Sequence, residues 1–469
     1  MRGMTLENIA KACEGELFYA KDADPKELSG KEAVSVVIDS RIAEQGGIFV
    51  ATKGERVNGH SFIGDVLAKG ALGVICEQKP DDQAGNYIVV EDSFVAIKKL
   101  AKYYRSQFDI PIVGITGSMG KTSTKEMVAA VLSQKYRVLK TEGNYNNEVG
   151  VPLTIFRLRD EHEIAVVEMG ISEFGEMSRL SDIVCPDSVV ITNIGPCHLE
   201  YLNDLDGVFK AKTEVFEYLS GKGAVCLNGD DARLIQVSQV KGKKPVFYGR
   251  NALNDIYAYN IEDGGLQGTD ASIHTKEGRF KVHIPLPGKH MVDNALAATA
   301  VGLFYGLTPE EIRSGIETVK GVSGRLNPIR TENYLVVDDC YNANPKSMEA
   351  GLTLLEGTGK RWHLRTVAIL GDMLELGGDT ERMHARVGAY AARLEIDVLL
   401  IAGPISKNMY EEVKRLGDPG KPEIFYYETT EELIAALRRE PLIKKGDVIL
   451  VKASHSMHFE KVVEELTAE

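Results

Sequence analysis

Cysteine is scarce and scattered. The six thiols at positions 13, 76, 185, 197, 226 and 340 include no Cys-x-x-Cys pair, which excludes a disulfide framework and offers no zinc-binding spacing. No apolar run approaches the roughly 20 residues that a membrane-spanning helix requires. The opening stretch Met1–Lys11 spreads charge through a helical pattern where a secretory signal would carry an apolar core. No integral membrane segment is therefore expected, and the chain reads as cytoplasmic. With 55 basic against 68 acidic residues the net charge is −13, which argues against a nucleic-acid partner, because polyanions bind through clustered Lys and Arg. Fixed-period repeats and low-complexity tracts are also missing. What is present is 469 residues, 43% hydrophobic and 26% charged, the balance of a soluble globular protein and enough chain for about three domains.

The most informative segment is Gly114-Ile115-Thr116-Gly117-Ser118-Met119-Gly120-Lys121-Thr122-Ser123-Thr124. The apolar run Pro111–Thr116 reads as a buried strand and Ser123–Gln134 carries apolar residues at helical spacing, so the glycines fall at a strand-to-helix junction. There, backbone N–H groups of Gly117, Ser118, Met119, Gly120 and Ser123 can converge on phosphate, Lys121 can reach terminal phosphates, and the Thr122 hydroxyl can hold magnesium. The spacing is shorter than in a standard P-loop, because the framing glycines are Gly117 and Gly120.

The chain reads as α/β in three segments. Residues 1–108 mix short strands and helices, with strands expected at Ala33–Ile38, Gly47–Ala51, Gly73–Cys76 and Tyr87–Val90 and a helix near Phe94–Gln107. Residues 109–324 alternate strand and helix as in a mostly parallel sheet, with strands at Pro111–Thr116, Glu163–Glu168, Ser188–Asn193 and Ala224–Leu227. From Ile256 to Pro285 the period becomes two, an antiparallel excursion before a helix near Met291–Gly302. Residues 325–469 alternate again, with strands at Tyr334–Asp338, Thr366–Leu370, Val398–Ala402, Ile424–Tyr427 and Val448–Val451, and read as a Rossmann-like, doubly wound domain.

Chemistry-bearing residues gather at the expected carboxyl ends of strands. Ile164–Val167 runs into Glu168, a candidate magnesium ligand or a cap for the next helix. The strand ending at Asn193 leads to His198, and Lys210 and Lys212 follow on a helix, where lysines on a solvated face are also common. A phosphate loop, a carboxylate, a histidine and a lysine arriving from successive strand ends suit Mg-ATP chemistry at an open α/β sheet.

Thr116–Thr122, the run Thr141-Glu142-Gly143-Asn144-Tyr145-Asn146-Asn147-Glu148-Val149-Gly150-Val151-Pro152, Glu168-Met169-Gly170 and Thr192–Pro196 together resemble the Mur ligases of peptidoglycan synthesis. Asp39-Ser40-Arg41 and Asn58-Gly59-His60 are similar to the uridine-nucleotide domain of that family. Asp338–Met348, Leu370–Gly377 and Val451–Ser454 are similar to its D-alanyl-D-alanine-adding branch, and the Asp-Asn-Pro-Arg motif of the diaminopimelate-adding branch is missing. Cys197 and His455 stand where the family more often has alanine and arginine.

The resemblance implies a monomeric, ATP-dependent amide ligase acting on small molecules, UDP-N-acetylmuramoyl-tripeptide and D-alanyl-D-alanine, through an acyl phosphate. It implies that Thr122 and Glu168 hold magnesium, that Lys121 stabilises the transferring phosphoryl group, and that His198 reaches a second magnesium. Lys212, fourteen residues after His198, matches a lysine that the family carbamylates. Asn294 would contact adenine, Arg325 the ATP phosphates and Asp339 the ribose. Ser40, Arg41, Asn58, His60, Asn144 and Asn147 would serve the uridine-nucleotide substrate, and Asn342, Asn344, Ser347, Lys452 and Ser454 the incoming dipeptide. A third-residue-adding Mur enzyme or a folate polyglutamate synthase would share the phosphate loop, Glu168, His198 and Lys212. A P-loop regulator would explain Lys121 and Thr122 alone.

Overall fold

The computed structural model describes residues 1–54, 57–79, 81, 84–374, 376–417 and 422–468. It divides into two compact units. The first comprises Met1–Ile194, Phe209–Tyr248 and Thr299–Leu307, and the second Gly195–Val208, Gly249–Ala298 and Thr308–Glu469.

The first unit opens with a small sheet of β1 (Glu16–Phe18), β2 (Val36–Val37), β3 (Ile48–Val50), β4 (Gly73–Cys76) and β5 (Tyr87–Val89) in the order β1-β5-β4-β3-β2. All neighbours are parallel except β1 and β5. Phe49, Val66, Val74 and Tyr87 pack a core on it. The helix Ser93–Arg105 starts where Asp92 accepts the N–H groups of Phe94 and Val95 at 2.7 and 2.9 Å. It ends in a buried anchor: Arg105 donates to the carbonyls of Val184, Phe108 and Ile110, and the Tyr104 hydroxyl to that of Leu158. Each of the three guanidinium nitrogens of Arg105 thus meets a carbonyl, which offsets the cost of burying the group.

Next come β6 (Ile112–Thr116), β7 (Val138–Lys140), β8 (Ile164–Glu168), β9 (Ser188–Ile191), β10 (Val225–Asn228) and β11 (Val246–Gly249), ordered β11-β10-β9-β6-β8-β7 and parallel throughout. All residues of β6, β8 and β9 are buried, as expected for parallel strands covered on both faces. From β6 the chain runs to one side of the sheet, into β7 and β8, whereas β9 lies on the other side of β6 and leads on to β10 and β11. The carboxyl ends of β6 and β9 therefore flank the switch point at which an open α/β sheet forms a crevice.

In the second unit β12 (Ile256–Asp263), β13 (Thr269–Thr275) and β14 (Gly278–Ile284) make the expected antiparallel excursion, with a register shift between Tyr259 and Glu262. The carboxyl-terminal sheet contains β15 (Asn327–Arg330), β16 (Leu335–Asp338), β17 (Thr366–Leu370), β18 (Val398–Ala402), β19 (Glu423–Tyr427) and β20 (Val448–Lys452) in the order β15-β16-β20-β17-β18-β19, parallel apart from β15. Side chains alternate between two apolar layers. Ala368 and Leu370 join Leu352, Leu399 and Leu450, while Val367 and Ile369 join Leu400, Ile449 and Phe459. Helices on both faces follow from that alternation, which is the doubly wound arrangement expected.

Differences from the sequence reading lie in short strands and at the ends of elements. β1, β7, β11 and β15 went unread, each three or four residues long. The strand expected over Ala33–Ile38 shrinks to Val36–Val37, and the helix after the glycines begins at Lys121 rather than Ser123. A three-residue edge strand has too few alternations to register as a period.

Candidate active site

The phosphate loop is built where a side chain would not fit. Gly117 has φ 144° and Gly120 φ 77°, and a Cβ on Gly117 would sit 1.9 Å from Thr192 Oγ1. The loop is tied to the end of β9: Ser118 N–H donates to the Asn193 carbonyl (3.0 Å) and Met119 N–H to Asn193 Oδ1 (3.1 Å). In return Thr192 Oγ1 and Asn193 Nδ2 donate to the Met119 carbonyl at 2.6 and 3.1 Å. Gly120 caps the helix Lys121–Leu132 without a side chain, so no acidic or hydroxyl group of the cap competes for the helix's positive end. Lys121 folds back onto the Gly117 carbonyl, Nζ to O 3.0 Å. Ser123 follows in the first turn, half-buried.

Glu168 closes β8 and is 1% exposed. Its N–H donates to Thr141 Oγ1 at 3.0 Å. Its Oε1 accepts from Thr122 Oγ1 at 3.2 Å and from Asn146 Nδ2 at 2.8 Å. Its Oε2 is buried and accepts nothing from the described residues. A buried carboxylate oxygen with no donor is costly, and a cation beside it removes that cost. Among the described residues no three His, Cys, Asp or Glu side chains converge as a metal cage. Magnesium does not need one, since it is commonly held by one or two carboxylates, waters and substrate phosphates. The donor set of Glu168 and Thr122 under a phosphate cradle therefore fits that ion.

Lys212 lies in the last turn of the helix Leu205–Thr213, 1% exposed. Lys210 is exposed, its Nζ 5.8 Å from the centre of the Phe174 ring. Asn144 is exposed. Asn147 precedes the short helix Gly150–Ile155, its Oδ1 accepting the N–H groups of Val149 and Gly150. Asp39 grips the exposed Arg41 through Nε and Nη2 and starts a short 3-10 turn containing Ser40. Asn58 Oδ1 accepts from the main chain of His60 and faces its Nδ1 at 3.0 Å. His60 Nε2 accepts the Glu77 N–H at 3.0 Å.

In the second unit His198 is half-buried and left-handed, φ 50° and ψ 36°, at the start of the helix Leu199–Leu202. That backbone region is strained for a residue with a Cβ. Asn294 is buried in the helix Met291–Phe304, its Nδ2 3.3 Å from Met291 Sδ.

The ends of β16, β20 and β17 form one rim. Lys452 and Asp339 are both buried there and paired, Nζ to Oδ2 2.7 Å. Lys452 also donates to the Asn342 carbonyl (3.0 Å), and Leu326 N–H to Asp339 Oδ1 (3.1 Å). Burial pushes the Asp339 carboxyl up, while Lys452, the Leu326 N–H and Arg325 pull it down. Arg325 lies over the Tyr341 ring, 4.5 Å from its centre, and Tyr341 stacks on His455 at 5.2 Å. Asn344 and Ser347 are spent on each other as a capping box for the helix Pro345–Trp362. Ser454 donates its N–H to the Asp372 carbonyl (3.0 Å) and its Oγ accepts from Leu374 N–H (2.9 Å).

Several residues of this machinery escaped the sequence reading. Asn146, which holds Glu168, was hidden between Asn144 and Asn147. Lys125, 1% exposed, donates to the Thr141 carbonyl at 2.8 Å, and Thr141 Oγ1 in turn accepts the main-chain N–H of Glu168. Asp372 accepts from Ser406 N and Oγ at 2.7 and 2.6 Å. Its place just after a central strand is the signal that singled out Glu168 and would have found it too. Glu375, inside the run Leu370–Gly377, lies outside the described residues.

Three family models match the chain in succession: "Mur ligase family, catalytic domain" over residues 32–108, "Mur ligase middle domain" over 115–302, and "Mur ligase, glutamate ligase domain" over 324–455. The UDP-N-acetylmuramoyl-tripeptide--D-alanyl-D-alanine ligase of Bacillus subtilis is 36% identical over 468 residues, 98% of each chain. The chain belongs to the Mur ligase family. The protein of the same name from Escherichia coli is 37% identical, covering 94% of this chain and 95% of that one. A crystal structure of MurF from Acinetobacter baumannii superposes with a TM-score of 0.87 at 32% identity and 99% coverage of both chains. MurF from Thermotoga maritima, solved in complex with ADP, gives 0.77 at 29% identity, over 92% and 97% of the two chains. This Mur ligase thus carries its phosphate cradle, Glu168, His198, Lys212 and Asn294 within the middle-domain match, and Arg325, Asp339, Lys452 and Ser454 within the glutamate-ligase match.

Proposed function

We propose that this Mur ligase joins D-alanyl-D-alanine to UDP-N-acetylmuramoyl-tripeptide, producing the pentapeptide precursor of peptidoglycan with ADP and phosphate. A carboxylate is a poor electrophile. Transfer of the γ-phosphoryl group of ATP to a carboxylate oxygen gives an acyl phosphate, the dipeptide amine attacks the acyl carbon, and phosphate departs. Phosphoryl transfer needs positioning and charge neutralisation more than a protein nucleophile.

The observation that carries this reading is the unpartnered Oε2 of Glu168, buried beside Thr122 at the end of a phosphate cradle. Magnesium bound there would neutralise charge on the phosphates and the leaving group. Gly117, Ser118, Met119, Gly120 and Ser123 would present main-chain donors to the phosphates, and Lys121 would leave the Gly117 carbonyl for the γ-phosphoryl group. His198 and Lys212 would serve a second cation beside the substrate carboxylate. Lys212 is the better candidate for carbamylation than Lys210: it stands fourteen residues after His198, matching the family's lysine, and it is buried whereas Lys210 is exposed. Residues 1–108 would bind the uridine nucleotide through Ser40, Arg41, Asn58 and His60, with Asn144 and Asn147 completing that site. Residues 109–324 would bind ATP, Asn294 touching adenine. Residues 325–469 would add Arg325 and Asp339 to the nucleotide and offer Asn342, Asn344, Ser347, Lys452 and Ser454 to the dipeptide. We place the enzyme in the cytoplasm, as a monomer.

Phosphate release tests the reading. With ATP and magnesium, release should require both the UDP-N-acetylmuramoyl-tripeptide, in its lysine or diaminopimelate form, and D-alanyl-D-alanine. Release without either substrate, or no pentapeptide product, would overturn it. Lys212→Ala should lose most activity and Lys210→Ala should stay within a few-fold of wild type; the reverse would move the role to Lys210.

A further inference from the structure

The carboxylate of Glu168 does not orient itself. We infer that Asn146 is a positioning residue for the cation site, holding one oxygen of Glu168 so that the other is presented to the ion. The inference rests on the reading of Glu168 as a metal-binding carboxylate.

Two bonds pin Asn146 across the end of β8. Its carbonyl accepts the Gly170 N–H at 2.8 Å, and its Nδ2 donates to Glu168 Oε1 at 2.8 Å. The main-chain contact lies two residues beyond the side-chain contact, so Asn146 is fixed to the strand end whose carboxylate it aims. There is little slack. A Cβ on Gly170 would fall 3.1 Å from Asn146 Cγ, and one on Gly150 only 2.4 Å from Tyr145 Cα. The 144–150 segment is therefore packed against the strand end and against itself.

The consequence is an asymmetric carboxylate. Oε1 accepts from Asn146 and Thr122, whereas Oε2 is buried without a donor. The Thr122 bond, at 3.2 Å, is the longer of the two, and its hydroxyl is itself a candidate ligand whose lone pairs would turn to the ion. The amide donor of Asn146 has no such second duty. It would keep Oε1 in place when Thr122 changes partner, and without it χ rotation of Glu168 could bring either oxygen onto Thr122. Groups that orient a metal-binding carboxylate commonly affect metal affinity by 10- to 100-fold when removed.

The experiment uses the full chain with ADP and Mn2+ as probes, Mn2+ binding being read by electron paramagnetic resonance and ADP binding without metal by calorimetry. Asn146→Ala should weaken Mn2+ binding in the presence of ADP by about tenfold, with ADP affinity in the absence of metal unchanged. Asn146→Ser keeps the main-chain bond to Gly170 and has a hydroxyl too short to reach Glu168; it should show the same loss, and it stands in if the alanine variant folds poorly. Glu168→Gln, measured in parallel, should lose Mn2+ binding further. If Glu168→Gln weakens Mn2+ binding while both Asn146 variants bind as wild type, the inference is overturned and the reading of Glu168 survives. If Glu168→Gln binds Mn2+ like wild type, both fall together. Equal loss of metal-free ADP binding in the Asn146 variants would show a general collapse of the loop and would also overturn the positioning role.

Discussion

Glu168 and Asp339 both stand at the carboxyl end of a central strand and are both buried, yet they are satisfied in opposite ways. Glu168 receives only neutral donors, a hydroxyl and an amide, and one oxygen is left bare. Asp339 has an ammonium at 2.7 Å on one oxygen and a main-chain N–H on the other. The difference separates a carboxylate that lacks its cation from one that already has it. The first gains an interaction when a ligand arrives. The second holds the shape of a rim, joining β16 to β20 and to the Asn342 carbonyl through Lys452.

The largest effect that can break this comparison is on ligation. Glu168→Gln should lower turnover by about 10³-fold, since the charge that holds a cation at the phosphates is gone, while thermal unfolding of the free protein stays at or above the wild-type midpoint. The stability half of that outcome matters most, because a buried unpaired charge is replaced by a neutral group. Asp339→Asn should do the reverse to the fold. It leaves the Lys452 ammonium buried without its counter-charge and should cost about 3–5 kcal/mol in denaturant unfolding, most of it recovered in the double variant Asp339→Asn/Lys452→Met. If Glu168→Gln destabilises the free protein as much as Asp339→Asn, the two carboxylates do not differ as described.

How much of this was legible in the sequence follows from what local pattern can encode. Long buried strands such as Ile112–Thr116, Ile164–Glu168 and Thr366–Leu370 announce themselves as apolar runs, and the glycines after the first mark its turn. Glu168 could be picked because its strand fixes where the chain emerges, whereas Asp339 and Lys452 were reached only through the family resemblance of the segments that carry them. Partnership could not be read. Nothing in the run of three asparagines at 144, 146 and 147 says which one reaches Glu168, because that depends on how the loop folds over Gly170. The pairing of Lys452 with Asp339 spans 113 positions and exists only once β16 and β20 are neighbours. The capping box of Asn344 and Ser347 went unread although its Asn-Pro-x-Ser spacing stands in the sequence, and it gives both side chains a local duty beside any role toward a dipeptide.

A third way to bury a titratable group sharpens the contrast with a smaller, pH-dependent effect. His384 is fully buried and uses both ring nitrogens: Nε2 accepts the Met373 N–H at 2.9 Å, so Nδ1 carries the proton and donates to the Thr380 carbonyl at 2.8 Å. It holds the turn after β17 as a neutral ring, and burial lowers its pKa against the weaker opposing pulls of the Thr380 carbonyl and Asp372. The unfolded chain therefore binds a proton that the folded one refuses. The stabilisation is fully present above the unfolded value near 6.5 and is lost as pH falls below it, by at most about 1.4 kcal/mol per pH unit. Urea unfolding at pH 7.5 and 5.5 should show wild type losing more stability than His384→Gln over that interval. Parallel losses would mean that the ring is not held neutral.

The smallest effect belongs to the same acid–base chemistry at the surface. Asp39 meets Arg41 through three contacts of 2.7–3.1 Å, more contacts to its cation than Asp339 has, and the side-chain bonds to Arg41 lower its pKa to about 2 from 3.8. The arginine side chain is 87% exposed. Water and salt screen such a pair, and holding a long side chain in one place opposes it, so it contributes little. The sign is that of a depressed carboxyl: the contribution is complete above 3.8 and disappears as pH falls toward 2. Asp39→Asn, which keeps an oxygen to cap the turn, should therefore lower stability at pH 7 by well under a quarter of the Asp339→Asn loss. The difference from wild type should narrow in 0.5 M salt and narrow again between pH 5 and pH 3. A loss at pH 7 equal to that of Asp339→Asn would mean that burial does not decide what an ion pair contributes here, and the contrast between the two strand-end carboxylates would lose its physical basis.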